Sequence, residues 1–247
     1  MTTSPLSISE PKVAAWVEAQ DFLLFDLETT GIDVTSDLPV SIATASMAGT
    51  TCIAQHYDVV DPGVEIPAES VSVHGITTEL ARRTGRPLQR AIQELLDRLM
   101  EASEHQRYVV GMNVTYDLTL LDNTARLVLG SGLLERGFRA PVLDVLVLDR
   151  HVDPYRPGKR TLERLCEHYG VRPAGLHNAL VDAKMTFLVL LQLLQRFPSL
   201  LEIDKERVND EQSAYYRAWA ESFNEWRRRE SLEPIQIWNW PIQHELP

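Results

Sequence analysis

Asp26 and Glu28 close an apolar run, Phe22-Leu23-Leu24-Phe25, in alternation with Leu27. On a strand, residues i and i+2 point the same way, so the two carboxylates leave the chain side by side. Asp117 follows a second apolar run, Tyr108-Val109-Val110-Gly111, through Asn113-Val114-Thr115-Tyr116. Asp182 lies among Leu180, Val181, Ala183 and Met185, where an uncompensated carboxylate would be costly. A metal ion or a cationic partner is therefore expected beside it. His177 precedes it by five residues. Clustered Asp and Glu oxygens suit hard divalent cations. Two such ions about 4 Å apart can activate water, neutralise phosphoryl charge and stabilise a leaving oxygen. Each residue alone has an ordinary reading. A D-x-E pair recurs by chance on strands, Asp117 could favour a helix dipole, and His177 could start a helix or fill a core. Five such residues in this order and in these surroundings point instead to metal-dependent phosphodiester hydrolysis.

The elements that must hold these groups follow from periodicity. Val13, Trp16 and Val17 predict a helix over 11–20 with Ser9 as its cap. Strands are expected over 22–27, 40–47 and 51–59, the last two joined by a turn at Ala48-Gly49. A Pro- and Gly-bearing loop over 61–67 precedes helices over 78–83 and 87–104. In the second, Ala91, Ile92, Leu95, Leu96, Leu99 and Met100 make one apolar face. A strand over 108–112 leads to a helix over 117–129, and 142–148 reads as a strand or a strand–helix junction. Helices over 162–169 and 178–197 complete an α/β domain with a mixed sheet. After Pro198 the character changes. A charged helix over 206–229 carries Tyr215, Tyr216, Trp219, Phe223 and Trp226, and a tail over 237–241 carries Trp238 and Trp240. The expected organisation is an N-terminal segment over 1–20, a catalytic domain over 21–198, and a helix and Trp-containing tail over 199–247.

A net charge of -11 argues against wholesale electrostatic capture of nucleic acid. Its distribution weakens that objection. Residues 1–80 hold twelve acids and one base, whereas the remainder holds 23 of each. The excess thus lies in the region of Asp26 and Glu28, where metal ions would offset part of it. Cys52 and Cys166 have no metal-ligand spacing and read as buried, reduced thiols. No leader is expected at the N-terminus, and the apolar run over 187–194 is too short to span a bilayer. A cytoplasmic protein without a membrane partner is the expectation.

The segments Phe25-Asp26-Leu27-Glu28-Thr29-Thr30-Gly31, Asn113-Val114-Thr115-Tyr116-Asp117 and His177-Asn178-Ala179-Leu180-Val181-Asp182 together resemble the three motifs of the DEDDh, DnaQ-like 3′–5′ exonucleases. The resemblance is greatest to bacterial relatives of the polymerase III epsilon subunit, and it covers about Asp21 to Arg196. It extends to Val73-His74-Gly75-Ile76-Thr77 and to Pro157-Gly158-Lys159-Arg160-Thr161-Leu162. It implies a ribonuclease H-like sheet flanked by helices and two divalent ions, Mg²⁺ or Mn²⁺. Asp26 would bridge both ions, Glu28 and Asp182 would share one, and Asp117 would support the other. His177 would be the general base. Thr29, Ile32, His74 and Tyr116 match positions that contact a terminal nucleotide, and Lys159 and Arg160 a phosphate-facing loop. Ile32 and Tyr116 could equally be core residues. Asp144 resembles a recurring position, for which a capping role is expected rather than metal binding. The implied substrate is a single-stranded or frayed 3′ end of DNA, released as nucleoside 5′-monophosphates. An RNA end is the alternative that the motifs leave open, as is a polymerase-bound interaction subunit that uses the Trp-containing tail.

Overall fold

The computed structural model describes residues 8–172 and 178–243. Helix α1 (Pro11–Glu18) leads into three antiparallel strands, β1 (Asp21–Thr29), β2 (Pro39–Ala48) and β3 (Thr51–Asp61). Two short helices, α2 (Ala68–His74) and α3 (Thr78–Thr84), precede the short β4 (Arg86–Pro87) and the long α4 (Leu88–Glu104). Then β5 (Tyr108–Gly111) enters α5 (Val114–Leu129), and β6 (Val142–Asp144) enters α6 (Val145–Val152). Helices α7 (Leu162–His168), α8 (Ala179–Arg196) and α9 (Val208–Arg229) follow. The strands form one mixed sheet in the order β4-β3-β2-β1-β5-β6, with β5 and β6 parallel to β1. This is the expected α/β architecture, a ribonuclease H-like mixed sheet flanked by helices.

Strand β1 explains both layers. Its Phe22 and Leu24 pack with Ala45, Phe187, Leu190 and Leu191 in a core under α8. Its Leu23, Phe25 and Leu27 face the other way, into a core with Ile92, Leu95, Leu118 and Leu121 from α4 and α5. Period-2 alternation thus buries both faces of a central strand. Trp240 and Ile242 of the tail join the second core, so this part of the tail packs across the α5 side of the sheet.

Helix α9 closes the sheet edge at β6. Asn209 Oδ1 accepts from the Val142 amide at 2.8 Å and Gln212 Oε1 from the Asp144 amide at 2.9 Å. Their amide nitrogens donate to the Ala140 and Val142 carbonyls. Two side-chain amides one turn apart therefore satisfy an edge that would otherwise present open backbone groups.

Several expectations require correction. Glu10, not Ser9, caps α1, and Ser9 instead donates to Gln195 on α8. Helix α2 had no period strong enough to announce it, since among its seven residues none is buried. Helix α5 begins three residues earlier than expected because Asn113 takes a left-handed conformation (φ 57°) and turns the chain at once. The segment over 142–148 is a junction, with Asp144 as the pivot. Cys52 is exposed rather than buried, as its stretch of β3 is the open side of the sheet, whereas Cys166 is buried. Among the described residues no helix is long and apolar enough to cross a membrane.

Candidate active site

Asp26 and Glu28 continue the face of Phe22 and Leu24, so beyond the core under α8 the strand presents carboxylates instead of apolar side chains. A register shift between Glu28 and Thr29 ends the regular pairing with β2 there. Bulges of this kind re-aim side chains at the ends of strands. Helix α8 crosses the same face with its N-terminus toward the carboxylates. Asn178 caps it by accepting from the Val181 amide at 3.3 Å, and Asp182 falls in its first turn. As a result, carboxylate oxygens of Asp26, Glu28 and Asp182 lie within 4.8 Å of one another.

Asp117 arrives from the other side. Strand β5 pairs with β1 only over Phe22–Leu24, so on that side the amide of Leu27 meets no β5 partner. Asp117 Oδ1 accepts from it at 3.2 Å, in a position only 7% exposed. The chain reaches this position through Gly111, whose hydrogen faces Val114: a Cβ there would sit 2.9 Å from Val114 Cγ2.

The electrostatics record the crowding. Burial, then the charges of Asp117, Asp182 and Glu28, hold Asp26 well above the usual carboxylate range. Burial and Asp182 push Glu28 up to about 7. Burial also raises Asp117, against the amide of Leu27, which favours its charged form. A set of acids that resist ionisation together is the environment that a divalent cation relieves.

The loop after β1 is fastened to α5. Tyr116 Oη donates to the Gly31 carbonyl at 2.5 Å and lies 2.8 Å from Thr29 Oγ1, which also donates to Gly31 at 2.6 Å. Asp37 accepts from Thr30 Oγ1 and from the Asp33 amide, and Ser70 Oγ donates to the Thr30 carbonyl. Ile32 projects from this loop with 92% of its surface exposed. His74 Nδ1 accepts from the Ile76 amide at 3.0 Å, and burial lowers its pKa against the Thr29 backbone. Thr29, His74 and Tyr116 therefore meet at the end of β1.

The basic loop divides. Lys159 is exposed. Arg160 turns inward, onto the fully buried Asp149 and the Asp153 carbonyl. Asp149 also receives Arg156 Nη2 at 2.5 Å and the Tyr169 hydroxyl at 2.8 Å. His177 lies outside the described residues.

Two contributors escaped the sequence reading. Asp37 anchors the loop that bears Ile32, but its position in a polar run gave no signal. Asp149 follows Val145-Leu146-Val147-Leu148, the same pattern of a carboxylate in an apolar helix that singled out Asp182. Asp144 accepts from the amides of Asn113 (2.9 Å), Val114 (3.0 Å), Leu146 (2.9 Å) and Val147 (3.4 Å), and so caps α5 and α6 together.

A mixed sheet whose central strand ends in paired carboxylates, met by acids from two helices, defines a nuclease of the ribonuclease H-like class. Residues 23–190 match the family model described as Exonuclease. The epsilon subunit of DNA polymerase III from Aquifex aeolicus is 30% identical over 174 residues, covering 70% of this chain and 80% of that one. The chain belongs to the exonuclease family, in its DEDDh, DnaQ-like branch. The PolC-type DNA polymerase III of Pediococcus pentosaceus is 27% identical over 168 residues, which are 67% of this chain and 11% of that protein. Among solved structures, Escherichia coli exonuclease I in complex with a dT13 oligonucleotide superposes with a TM-score of 0.62 at 19% identity, over 74% of this chain and 43% of that one. The chain thus spans a small part of the PolC-type relative and less than half of exonuclease I.

Proposed function

We propose that this chain is a divalent-metal-dependent 3′–5′ exonuclease that shortens single-stranded or frayed DNA and releases nucleoside 5′-monophosphates. The observation that carries the reading is the convergence of Asp26, Glu28 and Asp182 within 4.8 Å. Two unit charges at that separation repel by about 3 kcal/mol at an effective dielectric near 20. A purely carboxylate donor set fits Mg²⁺ or Mn²⁺ and not a soft ion. Asp26, Glu28 and Asp182 would hold one ion, and Asp117, whose charge acts on Asp26, would support a second. When bound, such ions supply Lewis acidity for water activation and for phosphoryl charge.

The chain's own groups do the rest. His177, just before the α8 cap, would take the proton of the attacking water, a role that rests on its place in the motif. Thr29 and Tyr116 hold the Gly31 carbonyl and with it the direction of Ile32. An exposed apolar side chain there offers a surface against which a terminal base can pack, with His74 opposite the strand end. Lys159 is free to meet a phosphate, whereas Arg160 is engaged by Asp149. The DNA preference draws support from exonuclease I, solved with dT13 and dA16 oligonucleotides. Likeness to an epsilon subunit and to PolC-type polymerases supports a polymerase as a partner. We assign catalysis to residues 21–198, a span that contains the whole family match, and treat 199–247 as an appended helix and tail.

The test follows a 5′-labelled single-stranded DNA and an RNA of the same sequence, with Mg²⁺ or Mn²⁺ or with EDTA. The expected result is a ladder that shortens from the 3′ end of the DNA, and is lost with EDTA, in Asp26→Ala and in His177→Ala. Intact DNA after incubation of folded wild-type protein with either ion overturns the reading.

A further inference from the structure

A cavity of about 330 Å³ opens where α5, α6, α9 and the tail meet. Asn113 and Thr115 of the α5 start, Arg150 of α6, Tyr216 and Trp219 of α9 and Trp238 of the tail contribute to its wall. The site lies over the end of β6, two strands from β1, or roughly 10 Å from the carboxylates at the usual strand spacing. Its volume is on the scale of small-ligand pockets.

Arg150 makes this more than a packing seam. Its guanidinium lies 3.5 Å from the centre of the Trp219 ring. Burial lowers its pKa to about 10, and Asp144 only partly offsets this. The lone pairs of Asp144 are taken up by four backbone amides. Among the described residues Arg150 has no ion pair and no hydrogen-bond acceptor. A partly desolvated guanidinium with a free fork of donors is the group that recognises phosphate. The aromatic lining continues outward along α9. Trp219 stacks on Phe223 at 5.4 Å and 13°, and Phe223 on Trp226 at 5.4 Å and 19°. From Tyr216 to Trp226 this row runs about 15 Å along the helix. A second cation, Arg227, lies 5.7 Å from the Phe223 ring, and Trp226 is 46% exposed. Cations set among aromatic faces bind single strands with little regard to sequence.

We propose that this cavity is an upstream subsite for single-stranded nucleic acid, in which Arg150 meets a backbone phosphate and Trp238 and Tyr216 stack against a base. This rests on the exonuclease reading, which supplies the strand whose 3′ end lies at the carboxylates. The C-terminal helix and tail are then part of the substrate path. Beyond the subsite the strand follows the aromatic row on α9.

Fluorescence anisotropy of fluorescein-labelled dT12 and dT3, with Ca²⁺ in place of a catalytic ion, tests the subsite. Arg150→Gln and Trp238→Ala are each expected to weaken dT12 binding about tenfold, given the usual contribution of one stacked base. The advantage of dT12 over dT3 should shrink by the same factor, with Tyr155→Ala, on an exposed site outside the cavity, as the reference. Unchanged dT12 affinity in both variants, with or without a lowered melting temperature, overturns the proposal and makes the cavity a packing seam. The catalytic reading is checked separately with the p-nitrophenyl ester of thymidine 5′-monophosphate, which has no upstream nucleotide. Its hydrolysis by wild type alongside unchanged dT12 affinity would sink the subsite alone. Failure of the wild type to hydrolyse it would sink the catalytic reading.

Discussion

Replacing Glu28 by Gln should stabilise the metal-free protein while abolishing its catalysis. The folded state raises Glu28 from the usual 4.5 to about 7, by burial and by the charge of Asp182. A raised carboxylate pKa means that the folded protein holds a proton that the unfolded chain has already lost. Stability is therefore full below the unfolded value and is lost as pH rises through the window from 4.5 to about 7. The whole shift corresponds to roughly 3 kcal/mol, at about 1.4 kcal/mol per pH unit. Solvent screening of a partly exposed side chain reduces this to about 2 kcal/mol. For a chain of this size that is a melting temperature about 4–8 °C higher. Glu28→Gln keeps the shape and removes the titration. Thermal melts in EDTA should show the variant ahead of wild type near pH 8 and level with it near pH 5. Mg²⁺ should reverse the order, because saturation of a site at about a hundred times its Kd adds about 2.7 kcal/mol to the protein that binds it. An advantage of equal size at both pH values would refute the charge argument and point to packing. A variant less stable than wild type at pH 8 in EDTA would refute the crowding itself.

The remaining predictions concern the supports of the site. Arg160→Ala should cost about 3 kcal/mol in urea unfolding, because it strips a partner from the buried Asp149; unchanged stability with weakened DNA binding would restore its phosphate role. Asp144→Ala should cost about 3 kcal/mol, since two helix N-termini lose one acceptor, whereas Asp144→Asn retains a carbonyl oxygen and should cost about 1 kcal/mol. Tyr116→Phe removes the donor to Gly31 and should cost about 1 kcal/mol. Faster amide exchange over residues 30–38 would report its effect, and unaltered exchange there would show that Asp37 and Ser70 suffice to hold the loop.

The layers were legible because their signals are local and periodic. Alternation in β1 and the apolar stripe of α4 announced strand, helix and burial together. The carboxylates were legible through a second rule, that charge in apolar surroundings needs a partner. That rule alone did not identify the partner. It applies as well to Asp149 as to Asp182, and for Asp149 the partners are Arg156, Arg160 and Tyr169. What separated the two was order along the chain relative to Asp26 and Glu28. Helix α2, the turn at Asn113 and the capping by Asn209 and Gln212 were not legible. Helix α2 buries none of its residues and so has no apolar period to read, while the capping by Asn209 and Gln212 answers backbone groups of a distant strand edge that no short window of sequence records.

The inward turn of Arg160 also bears on how an acidic chain can hold an anionic strand. The loop expected to supply basic groups keeps one of its two for the interior. A half-buried cation with no ion pair among the described residues lies instead at Arg150, on a helix that begins at Asp144, whose carboxylate fixes the starts of α5 and α6 at once. The same residue thus sets the helix that carries Asp117 and the helix that carries Arg150. A shift of either helix would move Asp117 and the cavity wall together. This coupling gives the C-terminal helix a reason to pack against β6 through Asn209 and Gln212, since a rigid edge there keeps the two parts of the proposed strand path in register.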